Sequence, residues 1–253
     1  MKFKRIYIDE TISTNDWLKD LRPPFDKNED TIVSTDYQKD GHGCDANKWE
    51  SERGKNLLVS ILWHPKGMPA NSQFYISVSI ALAIKSVLRR RIDNVSIKWP
   101  NDIYVGDRKI CGMLIENQLQ GSFIVASIIG FGLNVNQSKF VSDAPNPVSL
   151  IQLLGEQQDR DVLLKELEES IDHYLTQLKY PEECQRLFRE YEDSLYRKGE
   201  RHAYRLANGE EREGTIMGVE QDGKLRIAWA KDPNEAAEGE TSCYAFKQVS
   251  FII

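Results

Sequence analysis

Lys98, Asn101, Asp102 and Lys109 fall within one short stretch, KWPNDIYVGDRKICGMLIEN at 98–117. Each lysine sits among strand-forming apolar residues, as does Glu116. Taken singly, a strand lysine is more often a solvated edge residue than a chemical one. Taken together, two cations beside Asn101 and Asp102 can hold an anion and a magnesium-bound phosphate. A second stretch, YQKDGHGCDANKW at 37–49, carries Gly41 and Gly43 in a turn-rich loop that ends at Trp49. Its glycines would let backbone N–H groups approach a phosphate or carboxylate. A plain surface loop is the competing reading, and the loop contains no arginine.

Other chemistries fit poorly. No G-x-x-x-x-G-K-[ST] occurs, and GFGLNVN at 130–136 lacks the third glycine and following helix of a dinucleotide fingerprint. His42, His64, His173 and His202 are isolated from one another, without H-E-x-x-H or a G-x-S-x-G elbow. Cys44, Cys111, Cys184 and Cys243 form no C-x-x-C pair, so reduced thiols are expected in place of a zinc knuckle or disulfide framework.

The formal charge of −6 argues against general nucleic-acid binding. No apolar run reaches the roughly 20 residues that span a bilayer, and the start alternates like a strand instead of running apolar. A cytoplasmic location is expected, with neither a membrane nor a specific nucleic acid as partner.

These residues need a scaffold. KFKRIYID reads as a first strand, and STNDWLKDL as a helical turn capped by Ser13 or Thr14 and ending near Pro23. TIVSTDYQ and NLLVSILW read as neighbouring core strands. From Asn71 to Leu88 the apolar positions follow helical spacing, predicting one long buried helix behind the sheet. The run from Val95 to Asn136 predicts a β-meander with turns at Gly106-Asp107 and near Gln120-Gly121. Leu163–Leu178 and Pro181–Tyr191 predict amphipathic helices, the second opened by Pro181. Composition shifts around Leu195–Gly199. Beyond it, GTIMGVEQDGKLRIAW has a hairpin signal at Asp222-Gly223, KDPNEAAEGETS reads as a loop, and YAFKQVSFII as a closing strand.

The fold class is therefore α+β: a mixed or antiparallel sheet backed by helices, with a small C-terminal β-barrel. The domains are placed at 1–196 and 197–253.

Taken as a set, STN at 13–15, Gln38 before the glycine loop, KWPND at 98, RKICGMLIE at 108, GFGLNVN at 130 and the closing FKQVSFI resemble the biotin–protein ligases. The likeness is to the type without an N-terminal DNA-binding domain, so a repressor role is not expected. It implies a class II synthetase-like catalytic fold with an SH3-like C-terminal domain. It also implies two steps: biotin and Mg-ATP form biotinyl-5'-AMP, and a lysine of a biotin carboxyl carrier domain takes the biotin. By position, Lys109 inherits the catalytic role. Ser13, Thr14, Asn15, Gln38, His42, Gly43, Cys44, Gly112, Leu114 and Gly132 inherit biotin contacts. Gly41, Trp49, Lys98, Asn101, Asp102 and Asn134 inherit the nucleotide, with Asp102 near Mg²⁺ and Trp49 stacking on adenine. The resemblance also admits a homodimer.

One departure is large. The family loop usually reads like Gly-Arg-Gly-Arg-Arg-Gly, and here His42, Cys44 and Asp45 stand at its arginines and Ala46 at its last glycine. The loop could work through its backbone, His42, Lys39 or Lys48, or be compensated by Arg53 or Lys55. Otherwise the chain is a leaky or non-catalytic biotin or adenylate binder. A lipoate or octanoate transferase is the other rival.

Overall fold

The computed structural model describes residues 3–20, 29–43, 48–142, 146–231 and 238–253. Residues rich in Val, Ile and aromatics supply the strands β1 (Lys4–Thr11), β2 (Thr31–Gln38), β3 (Leu57–Trp63) and β4 (Met68–Pro69), with α1 (Thr14–Asp20) between β1 and β2. After α2 (Phe74–Leu88) come β5 (Val95–Lys98), β6 (Asp102–Val105), β7 (Arg108–Gln120) and β8 (Phe123–Leu133). These strands form an eight-stranded sheet ordered β1-β2-β3-β8-β7-β6-β5, with the short β4 paired to β8. The β1–β2 pair is parallel and the other named pairs are antiparallel, so the sheet is mixed. The expected meander is the run β5 to β8.

The long helix starts later than its apolar spacing suggests. Ala70–Ser72 form a 3-10 turn, and the α-helix proper begins at Phe74. Eleven of its fifteen residues are buried, because it lies against the sheet on one side and against α4 (Arg160–Gln177) and α5 (Pro181–Asp193) on another. A helix hydrophobic nearly all round belongs in such a sandwich. The Asp159 carboxylate caps α4 by accepting from the Asp161 and Val162 N–H groups. Pro181 opens α5. A short helix, α3 (Leu150–Leu154), precedes them and ends on the left-handed Gly155. The expected end of the first helix near Pro23 lies outside the described residues.

The C-terminal strands β9 (Arg201–Leu206), β10 (Glu211–Val219), β11 (Leu225–Ala230), β12 (Glu238–Tyr244) and β13 (Val249–Phe251) form a second, antiparallel sheet ordered β12-β11-β10-β9-β13. Two expectations change here. Glu238–Ser242, read as loop, belong to β12, because pairing with β11 overrides their polar composition. The closing strand is two strands: Tyr244 ends β12, and Lys247, at φ +67, turns the chain into β13. The linking segment is stitched to β5, since Ile97 N–H donates to Ser194 and Tyr196 N–H donates to Ile97.

Among the described residues no helix is long and apolar enough to cross a membrane. Ile80 on α2 is fully buried. Ile80→Ala should lower unfolding free energy by about 2–5 kcal/mol, the range for such cavities, measured as a reduced urea midpoint at unchanged slope.

Candidate active site

A cleft of about 370 Å³ opens where β7 and β8 lose their side chains. Gly112 and Gly132 are direct cross-strand partners, and Gly130 pairs with Leu114 on the same ladder. Over Gly130 stands Asn15, whose Oδ1 would lie 2.2 Å from any Cβ built there. A Cβ on Gly132 would come within 2.4 Å of the Trp49 ring, and one on Gly112 within 3.1 Å of both Trp49 and Lys109. Only glycine permits these approaches. The cleft therefore runs along the strand pair from Asn15 to Lys109, with the Trp49 indole lying across its floor.

The end at α1 is polar and neutral. The helix presents Ser13, Thr14 and Asn15, all buried. Thr14 N–H donates to Gln38 Oε1 at 2.8 Å, and Thr14 Oγ1 lies 3.0 Å from the same oxygen. Behind them on β3, Ser60 Oγ is 2.7 Å from Thr14 Oγ1 and 2.6 Å from Asn15 Oδ1. Val59, Met113 and Phe131 line the cleft as apolar wall.

The other end is cationic. Lys109 Nζ bonds Asp102 Oδ1 at 2.7 Å and lies 5.7 Å from the Trp49 ring centre. Lys98 is set between the Tyr104 and Phe251 rings, 5.3 and 4.8 Å from their centres. Burial pulls its ammonium below the usual lysine range; Asp102 opposes this, and Lys109 and Arg197 add to it. An arriving anion would reverse that penalty, which is how a pre-formed anion site is recognised. Asn101 Nδ2 donates to the Met113 carbonyl at 2.6 Å, fixing the turn between β5 and β6 against β7. Burial pushes the Cys111 thiol up, away from thiolate chemistry.

Of the residues expected at the site, Ser13, Thr14, Asn15, Gln38, His42, Gly43, Trp49, Lys98, Asn101, Asp102, Lys109, Gly112, Leu114 and Gly132 line this cleft. Two do not. Gly41 packs against the Gln38 side chain, and its carbonyl accepts from the Trp49 N–H. Asn134 is buried, its Nδ2 donating to the Val148 carbonyl and its backbone carbonyl accepting from the Leu150 N–H, so it ties the start of α3 to the end of β8 and lies outside the cleft lining. Cys44, with Asp45 and Ala46, lies outside the described residues. Trp49 covers the glycine floor, with its Nε1 buried and without a hydrogen-bond partner among the described residues.

The proposed stand-ins for arginine divide as well. Arg53 bonds Asp9 at 3.1 Å and also Glu10, while Lys39 bonds Glu10 at 2.7 Å; neither they nor Lys55 line the cleft. His42 and Lys48 do line it. Sequence reasoning left Ser60 out, and it also missed Phe246, Lys247, Val249, Ser250 and Phe251, which the C-terminal sheet contributes as a wall. The FKQVSFI motif was the available signal for that wall.

Residues 7–134 match the model of the Biotin/lipoate A/B protein ligase family. The bifunctional ligase/repressor BirA of Escherichia coli is 28% identical over 228 residues, covering 85% of this chain and 68% of that protein. Its namesake from Salmonella typhimurium is 33% identical over 157 residues, 61% of this chain but only 48% of its own length. The chain thus spans between about half and two thirds of these two relatives. In fold it is similar to the biotin protein ligase from Aquifex aeolicus in complex with biotin and ATP, with a TM-score of 0.77, 22% identity and coverage of 98% and 97%. That likeness extends over both sheets.

Gly132→Ala should drive the indole off the floor, at a cost of about 1–3 kcal/mol for overpacking. Tryptophan emission should shift to longer wavelength, and the same change in a Trp49→Phe background should produce no such shift.

Proposed function

The chain belongs to the biotin/lipoate A/B protein ligase family, a family of ligases, as a homologue of its biotin–protein ligases, and from that premise we propose that it joins biotin to AMP and then to protein. Biotin and Mg-ATP would give biotinyl-5'-AMP, and a lysine of a biotin carboxyl carrier domain would take the biotinyl group. The observation that carries this reading is the division of a single cleft into a neutral polar end and a cationic end. Thr14, Asn15 and Gln38 suit the ureido ring, the apolar wall suits the sulfur ring and acyl chain, and Lys109 with Lys98 suits the carboxylate and phosphates. Residues 1–196 would form the catalytic domain and 197–253 an SH3-like domain that completes the wall.

In the first step a biotin carboxylate oxygen attacks the α-phosphorus. The C–O–P bond forms, the Pα–O–Pβ bond breaks and pyrophosphate leaves. Two anions must meet, so the protein has to offset their repulsion and the charge gathering at the α-phosphate, which is the work of Lys109 and Lys98. In the second step the neutral amine of the acceptor lysine attacks the mixed-anhydride carbonyl. AMP leaves with the C–O electron pair, and the surplus amine proton passes to solvent. Here positioning is the main contribution.

Magnesium would arrive with the nucleotide. Asp102 is the carboxylate among the described residues lining the cleft, and no group of three or more His, Cys, Asp or Glu side chains is arranged for a metal among them. One carboxylate plus substrate phosphates fits the habit of this ion. When bound, it supplies positive charge that draws electron density from the phosphate oxygens.

A second reading, a homologue that binds biotin or its adenylate without completing transfer, is favoured by the loop. The basic side chains it is seen to bring to the cleft already face acids: His42 Nε2 lies 3.9 Å from Asp16 and Lys48 Nζ 3.7 Å from Asp40.

Biotin-dependent pyrophosphate release, run with and without a carrier domain and followed by mass detection of biotin on that domain, separates the two. Release with transfer supports the ligase; biotin binding without release supports the binder. Lys109→Ala should lower release by at least about 100-fold, whereas Cys44→Arg should raise it or slow adenylate escape. Unchanged turnover in both variants would sink the site assignment.

A further inference from the structure

The motif GFGLNVN runs straight into Gln137, which is fully buried yet lies outside the cleft lining. Its side-chain oxygen accepts from the Glu52 N–H at 3.0 Å and from Asn56 Nδ2 at 2.7 Å. Its side-chain nitrogen donates to Glu50 Oε1 at 3.1 Å and to the Lys139 carbonyl at 2.9 Å. Both donors and both acceptor sites of the amide are engaged, so its orientation is fixed. The Ser149 hydroxyl, at the N-cap of α3, donates to the Gln137 backbone carbonyl at 2.6 Å. This buried knot joins residues 50–56, which follow the glycine loop, to the chain beyond β8.

Glu50 extends the knot. Its Oε1 also accepts from the Val141 N–H at 2.9 Å, and its Oε2 accepts from the Ser142 N–H at 2.8 Å. Burial works against the carboxylate, but hydrogen bonds from Ser142, Val141 and Gln137 outweigh it and hold the group below the usual glutamate range. One peptide unit upstream stands Trp49. The arm of the loop that carries Trp49 is tied to the loop's other arm by the His42–Lys48 bridge and by the Trp49 N–H on the Gly41 carbonyl. Ties of that kind hold the loop together without fixing it to the body of the protein. Among the described residues of this arm, Glu50 is the first whose side chain hydrogen-bonds a separate segment.

We propose that Glu50 is a positioning residue for Trp49: by clamping the chain to residues 137–142 it holds the indole across the glycine floor, in place for the purine of a nucleotide. The inference rests on the nucleotide reading of the cationic end. A Cβ on Gly132 would meet indole Cε2 and one on Gly112 would meet Cζ3, so the ring spans both strands. Its centre lies 5.7 Å from Lys109 Nζ, which sets a base stacked on it beside the cation that its phosphates need. A flat unsaturated base stacks on such a ring and the largely saturated rings of biotin do not, so the clamp acts on one substrate and not the other. Glu50→Gln keeps the shape and removes the charge. Both carboxylate oxygens face N–H donors, so either orientation of the new amide sets its NH₂ against one of them. The clamp weakens, and the indole is in place for a smaller fraction of the time.

Calorimetric titration of the full chain with ATP at saturating biotin, and with biotin alone, tests this. Glu50→Gln should weaken ATP binding about tenfold, the population shift that one charge-assisted hydrogen bond can maintain, and leave biotin affinity within about threefold of wild type. In a Trp49→Ala background the same change should alter ATP affinity by less than about twofold, because a residue that acts only through Trp49 has nothing left to position. Iodide quenching of Trp49 emission, taken against the Trp49→Ala chain, needs no ligand and should rise in Glu50→Gln. That reading decides alone where Trp49→Ala binds ATP too weakly to titrate. A merely structural role for Glu50 would weaken ATP equally in both backgrounds, and that result overturns the proposal. So does unchanged quenching, or ATP affinity unmoved by Glu50→Gln, in a chain whose wild type binds ATP. A wild type that takes up biotin but no ATP removes the nucleotide reading, and this inference with it.

Discussion

Everything in this protein that can do chemistry depends on a local refusal to fill space. Gly112, Gly130 and Gly132 interrupt the two longest strands in the middle of the main sheet, where Ile110, Met113, Ile129, Phe131 and Leu133 are otherwise buried. Glycine in a strand interior weakens it by leaving nothing to pack. Here the ladder is held by the flanking apolar residues and by α2 behind them, so the sheet tolerates a groove on its open face. Into that groove come side chains from elements far apart in sequence: Asn15 from α1, Trp49 from the loop after β2, and Lys109 from β7 itself.

The two ends of the groove are built on different physics. At the α1 end, neutral groups are buried and satisfy one another through short, directional contacts, so the arrangement has little freedom and discriminates by donor and acceptor. At the lysine end, two ammonium groups are held near one carboxylate, and selectivity is by charge. A ligand with a neutral hydrogen-bonding group at one end and an anion at the other would answer both. The resting ion pair of Lys109 with Asp102 keeps that end from holding an unmatched buried charge before an anion arrives.

Much of this was legible in the residues. The β-branched runs, the Gly106-Asp107 turn and the proline opening α5 each carry a local physical cause, and the structure has them where that cause acts. The β12 strand was not legible, because Glu238–Ser242 are polar and owe their conformation to pairing with β11. The same holds within the site. Lys98, Asp102 and Lys109 announce themselves by charge amid apolar neighbours. Ser60 does not, since a serine in LLVSILW looks like any tolerated polar residue until β3 is laid beside α1. Asn134 misled in the opposite direction: it belongs to a motif at the site, but its side chain serves the turn into α3.

The seam between the two sheets bears on how a ligand gets in. Ser194 and Tyr196 bond the backbone of Ile97 on β5, one residue from Lys98, and Trp99 Nε1 donates to the Gly223 carbonyl at 2.8 Å across the same junction. Leu195 and Tyr196 are buried there. Swinging the C-terminal wall away would break these bonds together, expose that apolar surface and drag the strand that carries the lysine. Trp49 covers the cleft as well, half-buried and with no partner for its ring nitrogen among the described residues. The C-terminal wall, held by that seam, is therefore a fixed jamb of the cleft, and the place of Lys98 is set by the packing of the second sheet as much as by its own strand.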